Sequence, residues 1–112
     1  MIPFSPPRID ERTVEAVAEA LRSGWITTGP RTKEFERQLA AYCGVERVIA
    51  LNSWTNACEL VLRWFGIGPG DEVIVPAYTY CASANIVEHV GATPVLVDIL
   101  DDFTLDPDDV AR

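Results

Sequence analysis

Apolar residues alternate along this chain between helical spacing and short unbroken runs, and that contrast predicts its elements. Asp10 is positioned to cap a helix over 11–21, where Val14, Val17, Ala18 and Leu21 recur on one face. Ser23-Gly24 ends it, and Trp25 to Pro30 reads as an extended segment closing in a turn. A second helix is expected over 31–42, with Phe35, Leu39 and Tyr42 on one face and Gly44 as its stop. Arg47-Val-Ile-Ala-Leu51 is a compact apolar run and predicts a strand. Residues 55–65 return to helical spacing, with Ala57, Leu60, Val61 and Trp64 expected to face inward. After the breaker-rich Gly66-Ile-Gly-Pro-Gly70, strands are expected over 71–75 and 94–98, separated by a helix over 80–90. Leu105-Asp106-Pro107 reads as a helix start with its cap and its N-terminal proline.

Strands that are apolar throughout belong to sheets covered on both faces, and strand–helix–strand order with right-handed crossovers makes such a sheet parallel. The expected fold class is therefore α/β, with helices around a mostly parallel sheet. Three such strands leave exposed edges and the last helix has barely begun, so the chain is expected to be part of a longer protein or to be completed by neighbouring chains.

Composition narrows the function. The chain has 112 residues, 48% hydrophobic and 23% charged, with a formal net charge of −8. That balance argues against nucleic-acid binding, which needs clustered Lys and Arg. No apolar run is long enough to predict a membrane helix, and the N-terminus lacks the pattern of a secretory signal; a cytoplasmic location is the expectation. The acidic run from Asp98 to Asp109 reads as a solvated loop and helix start. Cys43, Cys58 and Cys81 form no C-x-x-C pair and are expected to be reduced, buried thiols, while the single histidine, His89, reads as a surface or helix-end residue.

Ligands of open parallel sheets gather at the carboxyl ends of the strands, and two such ends carry candidate chemistry. At Leu51-Asn-Ser-Trp-Thr-Asn-Ala57 a strand leads into a helix start. The unpaired N–H groups there, with the hydroxyls of Ser53 and Thr55, suit a phosphate; the same hydroxyls also suit plain capping. The segment is not a nucleoside-triphosphate loop of the G-x-x-x-x-G-K-[ST] type. At Pro76-Ala-Tyr-Thr-Tyr-Cys81, Tyr78 or Tyr80 could cover a planar ring, or either could pack in the core. Together the two ends fit a cofactor with a phosphate arm and a flat ring.

These residues carry a resemblance. Ile2-Pro-Phe4, Ser23-Gly-Trp-Ile-Thr-Thr-Gly-Pro30, Asn52-Ser-Trp-Thr-Asn-Ala57, Ile67-Gly-Pro-Gly-Asp-Glu-Val-Ile-Val-Pro76, Tyr78-Thr-Tyr80 and Gly91-Ala-Thr-Pro-Val-Leu-Val-Asp98 follow one another as in the DegT/DnrJ/EryC1/StrS sugar aminotransferases. The chain resembles the N-terminal portion of that family. The resemblance implies the fold type I aminotransferase architecture and a pyridoxal 5'-phosphate (PLP) cofactor. It implies that residues 1–30 form an N-terminal helix and substrate-side loop and that 31–112 begin the PLP-binding large domain. It points to Ser53, Thr55 and Asn56 for the phosphate, to Tyr80 for the pyridine ring, and to Trp25, Thr27 and Thr28 for the substrate side. Trp54 and Asn56 depart from the small residues the family often has there.

The activity implied is transfer of an amino group, usually from glutamate, to a nucleotide-linked keto-sugar by a homodimer. The Schiff-base lysine of such enzymes has no counterpart among these motifs: Lys33, the only lysine, falls in the second helix, so no catalytic residue is assigned and the segment alone is expected to be inactive. A PLP-dependent sugar dehydratase of the same family, an aminocyclitol substrate and a catalytically incompetent fragment remain open alternatives.

Overall fold

The computed structural model describes residues 5–112; Ile2-Pro3-Phe4 of the family pattern lies outside the described residues. The chain divides into two compact units, residues 1–50 and 51–112.

The first unit carries two helices. In α1 (Glu11–Arg22), Asp10 Oδ1 accepts from the Thr13 N–H and the Thr13 hydroxyl, both at 2.8 Å, so the expected cap is formed. Helix α2 (Pro30–Cys43) opens on a proline, whose missing N–H costs nothing at a first helical position. It closes at Gly44, whose φ of 68° is the left-handed geometry a helix C-cap favours. The Ala50 N–H donates to Glu36 Oε1 at 2.8 Å, tying the end of this unit to α2. Val14, Val17 and Leu21 of α1 and both Phe35 and Tyr42 of α2 lie exposed, and Ala18 is half-buried.

The second unit holds α3 (Trp54–Trp64), β1 (Glu72–Pro76), α4 (Ala82–His89), β2 (Thr93–Val97) and the short α5 (Pro107–Val110). Strands β1 and β2 pair in parallel, Glu72 opposite Thr93 and Pro76 opposite Val97. Both strand prolines are compatible with this ladder for the same reason. The Thr93 N–H bonds Asp71 O at 2.9 Å and the Ala77 N–H bonds Val97 O at 2.8 Å. Donors alternate along a strand, so the N–H that Pro94 and Pro76 lack would point away from the pairing.

Val75, Ile86, Val87, Val90 and Ala92 form the core, with Val87 only 1% exposed, and Cys58 and Leu62 of α3 pack against it. Helix α4 thus seals one face of β1, while Ile74, pointing to the opposite face, stays exposed.

Three expectations change. Residues 47–51 form no strand: they join neither free edge of the β1–β2 sheet, and the Ala50 N–H is taken by Glu36 Oε1 of α2 instead of a ladder carbonyl. The inward face of α3 is Cys58 and Leu62; Leu60, Val61 and Trp64 are exposed. Cys43 and Cys81 are exposed thiols and only Cys58 is partly buried.

Candidate functional site

The direction of α3 fixes where the candidate phosphate seat lies. Arg63, in the last turn of α3, donates from Nη2 to the carbonyl of His89, the last residue of α4, at 3.0 Å. The two helices therefore end together, and the packing of Cys58 and Leu62 on the α4 core residues makes them run side by side in one direction. In the β1–α4–β2 crossover, α4 starts at the carboxyl end of β1 and runs back along the sheet. Helix α3 thus also starts at the carboxyl end of the sheet, the same end as the Ala77–Cys81 segment.

At that start, Ser53 is the N-cap of α3: its Oγ accepts the Asn56 N–H at 3.1 Å. That bond uses a lone pair and leaves the Ser53 hydroxyl proton free to donate. Trp54 and Thr55 hold the first two positions of the helix, where N–H groups have no acceptor within the helix. The Thr55 side chain is half-buried beside them. Asn56 is committed to the cap itself, with its N–H on Ser53 and its Nδ2 on Asn52 Oδ1 at 2.7 Å. Trp54 is 57% exposed, so most of this large side chain lies away from the helix start.

Beyond β1, the two tyrosines part company. The Tyr78 ring packs against Phe103, centroids 5.6 Å apart and planes tilted by 33°. Tyr80 is 79% exposed and has no aromatic partner among the described residues. Thr79 Oγ1 lies 3.0 Å from Ser83 Oγ, joining the segment to the first turn of α4.

At the opposite end of the helix pair, Glu59 joins Arg63 and His89. Its Oε1 accepts from Arg63 Nη2 at 2.8 Å and its Oε2 lies 3.2 Å from His89 Nδ1. The Arg63 guanidinium, ahead of His89, holds the Glu59 carboxyl below its ordinary value. Sequence spacing pairs Glu59 with Arg63 on one helix; the third member comes from tertiary packing.

The substrate-side candidates belong to the first unit. Trp25 donates from Nε1 to the Thr28 carbonyl at 3.1 Å, folding its indole over Gly29. A Cβ on Gly29 would collide with the Trp25 indole, so glycine is what lets the ring lie in this position. Trp25 and Thr27 line an open groove of about 730 Å³ with Val17 and Leu21 of α1 and Arg31 of α2. Lys33 lies in α2.

Four of the six carboxylates in the acidic run bond backbone N–H groups. Asp98 accepts from the Ile99 N–H, Asp102 from Thr104, Asp106 from Asp108 and Asp109 from Asp98. No group of three potential metal ligands occurs among the described residues, and no helix among them is long and apolar enough to cross a membrane.

A helix start rich in free donors, at the same carboxyl end of a parallel sheet as an exposed tyrosine, is an arrangement suited to a phosphorylated ring cofactor. Residues 7–112 match the model of the DegT/DnrJ/EryC1/StrS aminotransferase family, and the chain belongs to that family. It is 45% identical over 109 residues to the spore coat polysaccharide biosynthesis protein SpsC of Bacillus subtilis (strain 168), covering 97% of this chain and 28% of SpsC. It is 46% identical over 98 residues to the UDP-4-amino-4-deoxy-L-arabinose–oxoglutarate aminotransferase of Shewanella sediminis (strain HAW-EB3), covering 88% of this chain and 25% of that enzyme. The PLP form of Spr1654 from Streptococcus pneumoniae superposes with a TM-score of 0.89 at 57% identity, over 97% of this chain and 28% of that one. The chain therefore spans about a quarter of the length of its relatives, and its fold is the corresponding part of the fold type I aminotransferase architecture.

Proposed function

We propose that this chain is the cofactor-seating segment of a PLP-dependent aminotransferase that moves an amino group from glutamate to a nucleotide-linked keto-sugar. The observation that carries the reading is the α3 start, where free donors share one end of the sheet with the Tyr80 segment. A phosphate monoester offers only acceptors around its oxygens and carries negative charge. The Ser53 hydroxyl, the Trp54 and Thr55 N–H groups and the positive end of the α3 dipole supply the complement. Thr55 adds a hydroxyl from a half-buried position. Asn56 holds the cap rigid through Ser53 and Asn52.

When bound, PLP supplies an aldehyde that takes up the amino group and a ring that withdraws electrons. Tyr80, exposed and free of an aromatic partner, would cover one face of that ring and exclude water from it. Trp25, Thr27 and Thr28 would meet the sugar side, with the indole fixed by its bond to Thr28.

The substrate and donor are drawn from the Shewanella relative, whose name contains both a UDP-linked amino sugar and oxoglutarate, the keto partner of glutamate. The homodimer implied by the family resemblance and a cytoplasmic site of action belong to the same proposal.

The test uses the full-length protein. After PLP loading it is given glutamate and a panel of UDP- and dTDP-linked keto-sugars, and products are read by mass. The expected result is an amino sugar formed together with oxoglutarate. Loss of the sugar hydroxyl without gain of nitrogen would instead assign a dehydratase.

A further inference from the structure

We propose that Phe103 is a positioning residue for the cofactor ring: its side chain braces Tyr78, and so aims the Tyr80 segment from the neighbouring strand end. The proposal rests on the PLP reading above. Phe103 has a φ of 67°, a left-handed conformation that a bulky residue rarely adopts and that glycine or asparagine would adopt with less strain. The surrounding turn imposes it. The Leu100 N–H bonds Thr104 O at 2.9 Å and the Phe103 N–H bonds Leu100 O at 2.9 Å. Asp102 Oδ1 accepts from both the N–H and the hydroxyl of Thr104, and Ile99 bridges Leu105. A strained aromatic in a turn this heavily bonded calls for a use of its ring.

That use is visible in the contact with Tyr78. The turn follows β2 and the tyrosine segment follows β1, and the two strand ends are paired at Pro76 and Val97. The ring pair therefore joins adjacent loops above the carboxyl end of the sheet. Tyr78, itself 71% exposed, meets the 68% exposed Phe103 ring on one side, and Thr79 is tied to Ser83 of α4 on the other. Tyr80 is the next residue, and its direction follows from those two anchors.

The experiment is a PLP titration of the full-length protein, read by absorbance and by the circular dichroism of the bound cofactor. The variants are Phe103→Ala, Tyr78→Ala, their double variant, Phe103→Gly and Phe103→Tyr, each with a urea midpoint as a check on folding. An aromatic pair of this kind predicts about three- to tenfold weaker PLP binding and an altered dichroic band for each ring-deleting variant. The double variant should be no worse than the weaker single one, and Phe103→Tyr should lie within about twofold of the unaltered protein. Phe103→Gly relieves the strain but removes the ring, so it should behave as Phe103→Ala. If the alanine variants unfold, Phe103→Leu and Tyr78→Leu form the same cycle.

Additive losses, a Phe103→Gly variant that binds normally, or unchanged binding in both single variants would overturn the proposal alone. Failure of the unaltered protein to bind PLP would overturn the PLP reading and this inference with it.

Discussion

The Arg63 guanidinium and the His89 carbonyl oxygen meet at 3.0 Å, and this contact decides which ends of α3 and α4 lie together. Glu59 completes the junction, 25% exposed and bonded to both partners. The candidate site at the far end of the helix pair depends on that alignment.

Acid should loosen the junction. The Glu59 carboxyl is held below its ordinary value of 4.5, so its contribution to stability is present above that pH and is lost as pH falls toward the lowered value. A Glu59→Gln variant lacks the contribution from the start. The gap in urea midpoint between the two proteins should be open at neutral pH and close as pH drops below about 4.5. Glu34, lowered to about 2 by Arg37 and Gln38, titrates alike in both and cancels.

Val87 is the most enclosed side chain of the core. Val87→Ala should cost about 2 kcal/mol, from lost burial and the cavity left behind. Tyr42→Ala, at a residue 89% exposed, should stay within about 0.5 kcal/mol in the same chemical denaturation experiment.

Gly29→Ala should dislodge the Trp25 indole. The added Cβ would collide with the indole, while the Gly29 backbone, at φ −158°, is open to any residue. The whole effect is therefore a clash with an indole that is 59% exposed and free to swing into solvent, costing about 1 kcal/mol or less. The Trp25 indole N–H resonance should shift toward that of a solvent-bonded indole, and affinity for the sugar substrate should fall.

Much of this structure was legible because it is set locally. Asp10, Ser53 and Asp106 each cap the helix expected to follow them, since an acceptor beside the first N–H groups acts within one turn. The parallel β1–α4–β2 unit follows from apolar strands separated by a helix. What was hidden depends on partners. Residues 47–51 have strand composition but no ladder. In α3, two apolar stripes compete, and packing on α4 selects Cys58 and Leu62 over Leu60 and Val61. Tyr78 and Tyr80 are equivalent as letters in one segment; only the fold shows that Tyr78 is taken by Phe103. Phe103 itself gave no signal, because a left-handed phenylalanine breaks the rule that assigns such turns to glycine or asparagine.

The claim that the α3 start seats a phosphate is tested most directly at Ser53. Ser53→Asp keeps an acceptor for the Asn56 N–H, so the cap and the urea midpoint should survive, while its charge faces the incoming anion. In ³¹P spectra of the full-length protein titrated with PLP, the unaltered chain should show a shifted, bound phosphate resonance. Ser53→Asp should weaken binding by more than about tenfold with no loss of folding. An equal affinity and an unchanged bound resonance in the two proteins would contradict the account.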